Sequence, residues 1–123
     1  MRSHICRLLG LSVVLLLSIS PLLAQEAATV TAVAQHPDQY DKKTINVTGT
    51  IADYRERVSA RGNEYTTFRL QDRGASISVF AWKHPGLRNR QRVRVIGVFT
   101  RLKRVSKYEF HNEIEAQRID ALP

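Results

Sequence analysis

Cysteine is all but missing from this sequence. The single one among 123 residues, Cys6, stands close to the N-terminus. Beyond it there is no disulfide, no thiolate metal site, no thiol nucleophile and no lipid-bearing cysteine, so a hydrophobic core must hold the chain together. Long apolar runs are scarce as well. The longest, Leu8 to Leu17, gives way to Ser18, Ser20 and Pro21. That is short of the roughly 20 residues that cross a bilayer, so no stable membrane span is expected. Acidic side chains are in deficit, 11 against 19 lysines and arginines, for a formal charge of +8.

The apolar run has the surroundings of an export signal. Arg2, His4 and Arg7 give it a basic start, and Leu22-Leu23-Ala24-Gln25 offers a cut after Ala24. Residues 1–24 are therefore expected to be a cleaved signal peptide of bacterial type, and the remainder to be exported, either periplasmic or secreted. Residues 25–123 suffice for one domain with a modest core. With Arg2 and Arg7 removed, 17 basic residues still face 11 acidic ones, a bias toward polyanionic partners.

Ala27 to Gln35 combines helix formers, a Thr29 cap and apolar Val30, Val33 and Ala34 along one side. His36 precedes Pro37 and so avoids helical geometry. One short helix is expected here, then a polar turn over Asp38–Lys43, so that 25–43 is a helix and linker packed on the rest of the chain. From Thr44 onward the sequence reads as β-structure. In Ile45 to Ile51 apolar and polar residues alternate, the signature of a half-buried strand. Arg55 to Asn63 reads as a polar loop. Tyr65 to Gln71 and Ala75 to Trp82 are strands joined by the turn Asp72-Arg73-Gly74. His84-Pro85-Gly86 breaks the chain before a fourth strand, Val93 to Phe99; Arg101 to Lys107 reads as a basic loop, and Glu113 to Ile119 as the last strand. Gly49 and Gly97 hold matched places in the first and fourth strands, where glycine marks a sharp bend. Five strands, two of them bending, predict an all-β fold, a small closed barrel over 44–123 with a short N-terminal helix.

Phe68-x-Leu70-x-Asp72-x-x-Ala75-x-Ile77-x-Val79, preceded by Val47-x-Gly49 and followed by Val93-x-Val95-x-Gly97, resembles the OB-fold nucleic-acid-binding domains of the tRNA-anticodon-binding type. The resemblance covers roughly 44–119 and implies a five-stranded OB-type β-barrel. It also implies binding without chemistry, since such barrels take single-stranded nucleic acid, oligosaccharides or other proteins. Two features depart from it. The segment Lys83 to Arg90 is too short for the helix that often caps this fold there, which leaves the N-terminal helix to do so. An export signal is foreign to the cytosolic members, and makes tRNA an unsuitable natural ligand.

In that fold the ligand lies across the second and third strands, between the loop joining strands one and two and the loop joining strands four and five. Those two loops are where cations gather: Arg55, Arg57 and Arg61 in the first, and Arg101, Lys103, Arg104 and Lys107 in the second. Clustered cations displace the condensed counterions of a polyanion. Between the loops, alternation turns Ile77, Val79 and Ala81 inward and leaves Phe80 and Trp82 outward. It likewise leaves Tyr65, Thr67, Arg69 and Gln71 outward. Aromatic rings beside arginine make a platform on which bases stack. Plainer readings stand beside both features, because hairpin loops are polar whatever they bind, edge lysines discourage aggregation, and a tryptophan at a strand end can cover the barrel mouth.

Other candidates carry less. His36-Pro-Asp-Gln-Tyr40 has the His-x-x-x-Tyr spacing of the haem site in periplasmic haem chaperones, which are also OB barrels. Their motif follows the last strand whereas this one precedes the first, so a helix stop and a packed tyrosine is the reading taken. His84 and His111 have no partner at ligand spacing, and no metal or other cofactor is expected. Asn46-Val47-Thr48 fits a glycosylation sequon but sits within a strand. Asp53, Asp72, Glu113 and Glu115 form no recognisable metal-holding or catalytic set, and Asp72 belongs to its turn. The chain is thus expected not to be an enzyme. The expected function is an exported module binding single-stranded nucleic acid or another polyanion through basic loops and an aromatic strand face. The alternative is a cell-envelope domain that docks a protein or glycan.

Overall fold

In the computed structural model, which describes residues 25–123, the chain runs β1 (Glu26–Thr29), α1 (Val30–Gln35), α2 (Pro37–Tyr40), β2 (Thr44–Val58), β3 (Glu64–Asp72), β4 (Ala75–Trp82), β5 (Arg92–Val105) and β6 (Tyr108–Ala121). The expected signal peptide, 1–24, lies outside the described residues. Among the described residues no helix is long and apolar enough to cross a membrane.

Backbone hydrogen bonds join the strands in the order β1-β2-β3-β4-β6-β5, and a further ladder between β2 and β5 closes the sheet. Leaving β1 aside, the wall is a five-stranded barrel with the crossed connection of a Greek key. Only the β4–β6 contact in that wall is parallel. The expected alternation is present. Ile45, Val47 and Ile51 of β2, Phe68 and Leu70 of β3, Ile77 and Val79 of β4, and Val93, Val95 and Phe99 of β5 point inward with Ile114 of β6. Burying each such side chain contributes about 1.5–3 kcal/mol, and that burial is what holds this thiol-free barrel closed.

Closure depends on β2. Its first half pairs with β5, from Thr44↔Val98 to Thr50↔Arg92. Its second half pairs with β3 on the other edge, from Thr50↔Gln71 to Val58↔Glu64. The edge left open beside the first half is filled by β1, which pairs in parallel from Glu26↔Ile45 to Thr29↔Thr48. α1 then plugs the barrel end against β4, with Val30 and Val33 fully buried. Its N-cap is Thr29, whose Oγ1 accepts from the Ala32 N–H at 3.0 Å. The segment 83–91 contains no helix, so the cap comes from the N-terminal side.

The bend of the wall leaves no room for a side chain at two places. A Cβ on Gly49 would stand 2.8 Å from the Gln71 carbonyl oxygen and 2.9 Å from Leu70 Cγ. On Gly97 it would overlap the Glu115 carbonyl, beside the point where the β5–β6 register slips between Ile96 and Gly97. The two glycines face each other's strands, Gly97 opposite Ile45 and Gly49 opposite Val93.

Several expected boundaries move. Ala27 and Ala28 belong to β1, not to the helix, because their backbone groups pair with Asn46 and Val47. The turn expected over Asp38–Lys43 begins inside the one-turn helix α2, with Pro37 at a first-turn position where its missing N–H costs nothing. The expected loops 55–63 and 101–107 are strand in part, over 55–58 and 101–105. β2 passes a bulge between Ala52 and Arg55, with Asp53 at φ 52°, and continues paired to Val58, leaving only 59–63 as turn. β5 continues to Val105, opposite Tyr108, so that Ser106 and Lys107 alone make the turn. Both faces of these extensions meet solvent, so no apolar–polar alternation marks them, while backbone pairing to the partner strand still holds them extended. The last strand is correspondingly longer than expected. Its alternation breaks after Asn112, at φ 51°, where Glu113 and Ile114 are both buried.

The close approach at Gly97 makes a direct prediction. Gly97→Ala is expected to lower the unfolding free energy in urea by about 2–4 kcal/mol, because the atoms it meets are backbone and cannot rotate away. An unfolding midpoint equal to that of the natural chain would contradict the packing described.

Candidate functional site

Cross-strand register sorts the outer face of the barrel into rows whose side chains are neighbours. Arg57, Tyr65 and Trp82 form one row across β2, β3 and β4. Arg55, Thr67, Phe80 and Glu115 form the next, reaching β6. Arg69, Ser78 and Glu113 form a third. Because Thr66, Phe68 and Leu70 on β3 and Ile77, Val79 and Ala81 on β4 are buried, these rows face outward.

The aromatic side chains in the rows touch one another. Tyr65 stacks on Phe80 at a centroid distance of 5.5 Å, and Phe80 meets Trp82 edge-on at 4.9 Å. Such pairs are worth about 0.5–1.5 kcal/mol each beyond burial and fix the ring planes in advance. Phe80 is half-buried, with the Lys103 ammonium 5.6 Å from its ring centre. Trp82 remains 55% exposed and so presents the open ring.

Opposite Trp82, the β5–β6 arm turns Val105, Tyr108 and Phe110 toward the same space. The two arms enclose a groove of about 580 Å³, with Ser59, Tyr65, Phe80 and Trp82 on one side, Lys103, Val105, Tyr108 and Phe110 on the other, and Glu113 and Glu115 also lining it. Among the described residues, the large apolar side chains left exposed are Val58, Trp82, Val105, Tyr108 and Phe110. All but Val58 line this groove, and Val58 adjoins Ser59. Apolar groups left in water and gathered in one place mark an interaction surface.

The charges divide into engaged and free. Lys103 Nζ lies 3.7 Å from Glu113 and 3.6 Å from Glu115. Glu113 is only 8% exposed; burial pushes its carboxyl above the usual carboxylate range, Lys103 pulls it back, and Glu115 adds to the rise. Arg101 is tied to the helical end of the molecule, its side chain 2.8 Å from Asp38 and its backbone N–H donating to Asp41. Arg104 pairs with Glu109 at 2.9 Å within the β5–β6 arm, and Lys107 lies over Tyr108 near its tip. Arg55, Arg57 and Arg61 are exposed. Arg69 donates to the Ser76 and Ser78 hydroxyls.

Of the residues proposed from sequence, the structure gathers Arg55, Arg57, Tyr65, Arg69, Phe80, Trp82 and Lys103 on one face. Arg61 lies in the turn at the tip of the β2–β3 arm. Arg104 and Lys107 lie at the other tip, and Arg101 does not line the groove. Sequence reasoning missed Val105, Tyr108 and Phe110, and set Glu113 and Glu115 aside as no catalytic or metal-holding set. A signal for two of them was there, because Tyr108 and Phe110 alternate like strand residues directly after the basic stretch. His36 and Tyr40 bracket α2, and Tyr40 packs on the core.

No protein-family model matches the chain, and no curated protein resembles it closely enough to count as a relative. Solved structures do match. A chain assigned as an aspartyl-tRNA synthetase from Leishmania major Friedlin superposes with a TM-score of 0.60 at 12% identity, over 77% of this chain and 20% of that one. A chain in the crystal structure of yeast Stn1 and Ten1 superposes at 0.62 and 9% identity, over 80% of this chain and 63% of the other. A looser likeness, at 0.48 and 16% identity, covers 79% of this chain and 87% of the OB domain of Ta0387 from Thermoplasma acidophilum. The barrel is an OB fold. Its strand order and arms have that form, and at these identities the likeness is one of fold. This OB barrel spans a fifth of the synthetase chain and under two thirds of the yeast chain.

Burial of Glu113 in this groove sets a pH dependence. Its folded value lies above the ordinary 4.5, so the native state holds the proton more tightly than the unfolded chain. Its contribution to stability is therefore most favourable below the ordinary value and falls as pH rises through the raised one. Glu113→Gln is expected to flatten the loss of unfolding free energy across that window. An unchanged pH profile in urea unfolding would contradict this.

Proposed function

We propose that the chain is a non-enzymatic, exported OB module that takes a single strand of nucleic acid into the groove between its two arms. The observation that carries this reading is the open Trp82 ring, braced by Phe80 and Tyr65 and set in the same rows as Arg55 and Arg57. A base stacked on such a ring gains about 1–3 kcal/mol, whatever its identity. Tyr108 and Phe110 offer further stacking surface on the opposite arm. Arg55, Arg57 and Arg69 sit alongside, and among the described residues no carboxylate lies within 4.0 Å of them. Arg55 and Arg57 are available to phosphates, whose counterions they release, and Arg69, while donating to the Ser76 and Ser78 hydroxyls, adds its charge. The groove occupies the face and arms that OB barrels use for oligomeric ligands, and one structural neighbour is named for work on tRNA. Export is supported by the basic, apolar and Ala24 pattern of residues 1–24.

A second reading is docking of an envelope protein or a glycan. Val58 and Val105 are exposed beside the rings, and an aliphatic side chain does not stack a base. One neighbour also comes from a structure of two proteins together.

Trp82 is the only tryptophan, so its fluorescence reports the groove directly. Titration with a single-stranded oligonucleotide is expected to quench it. Affinity is expected to fall with salt at a logarithmic slope of about −2, from three phosphates at about 0.7 each. Arg57→Ala is expected to reduce that slope by about 0.7, and Arg101→Ala, already engaged by Asp38, to leave it unchanged. No quenching at low salt would refute the nucleic-acid reading, and saturable binding of one envelope protein in its place would establish the second.

A further inference from the structure

The rim and the floor of the groove differ in chemistry. The rim carries arginine, which suits phosphate. The floor carries two carboxylates and one ammonium, Glu113, Glu115 and Lys103, with Nζ at 3.7 and 3.6 Å from the two acids. Even with one of the two carboxyls protonated, their lone-pair sites outnumber the three donors of one ammonium. Acceptors are therefore in surplus on the floor, and a ligand edge lying there must donate.

The two acids are not equivalent. The Glu113 side chain is 10% exposed and held against Lys103. Glu115 is 49% exposed and stands directly beside Phe80 in the β4–β6 register. Phe80 in turn touches Trp82 edge-on, so Glu115 is the acid that the polar edge of a base stacked on Trp82 reaches. Lys103 spans both acids and lies over the Phe80 ring, so its ammonium is drawn toward the acids.

We infer that the groove discriminates among bases, preferring cytosine and adenine, whose N4 and N6 amines stand where thymine and uracil carry a carbonyl, with Glu115 as the acceptor. The inference rests on the nucleic-acid reading of the groove. Cytosine offers its N4 amine to the carboxylate. Thymine places its O4 carbonyl at the same position, acceptor against acceptor, and an acceptor facing a partly desolvated carboxylate loses the hydrogen bond it had in water. Arginines on the phosphates add affinity equally for both.

Comparison of two pyrimidine homo-oligomers isolates this effect, because ring size and phosphate number are held constant. By Trp82 fluorescence at neutral pH, oligo-dC of about twelve nucleotides, a length one OB barrel covers, is expected to bind about ten-fold more tightly than oligo-dT of the same length. Glu115→Gln, whose amide both donates and accepts, is expected to bring the ratio to about two-fold or less while oligo-dT binding is retained. Arg57→Ala is expected to weaken both and leave the ratio standing. Equal affinities in the natural chain, or a ratio that survives Glu115→Gln, would overturn the discrimination and leave the binding function intact. Binding of neither oligonucleotide would remove both.

Discussion

The barrel closes because β2 pairs with β5 as far as Thr50 and with β3 beyond it. No other strand in the wall could be exchanged for it. A strand that changes partners must coil sharply, and the coil brings backbone so close that Gly49 and Gly97 have no room for a Cβ. The same division leaves an edge that β1 fills, and β1 leads straight into the Thr29 cap of α1. The N-terminal cap of the barrel is thus a consequence of how the barrel closes. Beyond the bulge at Asp53, β2 leaves the wall and becomes the arm that presents Arg55 and Arg57.

The second arm arises in the same way, from β5 and β6 outrunning the wall. Together the arms convert a convex barrel face into a groove. His84 steadies the first arm, with Nε2 2.9 Å from the Arg57 carbonyl oxygen. Net charge describes this surface poorly. Arg101, Arg104 and Lys103 each sit at an acid within the chain, so these three cations are already engaged. Among the described residues, Arg55, Arg57 and Arg69 of β2 and β3 have no acid within 4.0 Å and share the face that carries the open ring.

The wall of the barrel was legible in the sequence for a physical reason. Residues such as Ile45, Val47 and Ile51 separate a dry interior from solvent, and that difference writes a period of two into the chain. The turn at Arg73 and Gly74 was equally plain, and both residues take positive φ, 51° and 83°, as a tight hairpin requires. The arms were not legible, because strands wet on both faces carry no such period and read as loops. Tyr108 and Phe110 do alternate, but with no buried face beside them the alternation did not mark a strand; the burial of Glu113 depends on the Asn112 twist and on Lys103 folding over it. The engagement of Arg101 by Asp38 joins residues 63 positions apart in the chain, and only the tertiary fold brings them together.

The central claim is that one face, the groove between the arms, receives a single strand. Backbone amide shift mapping by NMR during titration with a single-stranded oligonucleotide tests it most directly. The account predicts that the largest shifts fall on Arg55–Val58, Tyr65–Arg69, Phe80–Trp82 and Val105–Phe110, with β1, α1 and α2 undisturbed. Shifts concentrated at the α2 end around Asp38 and Arg101, or scattered evenly over the basic residues, would contradict it.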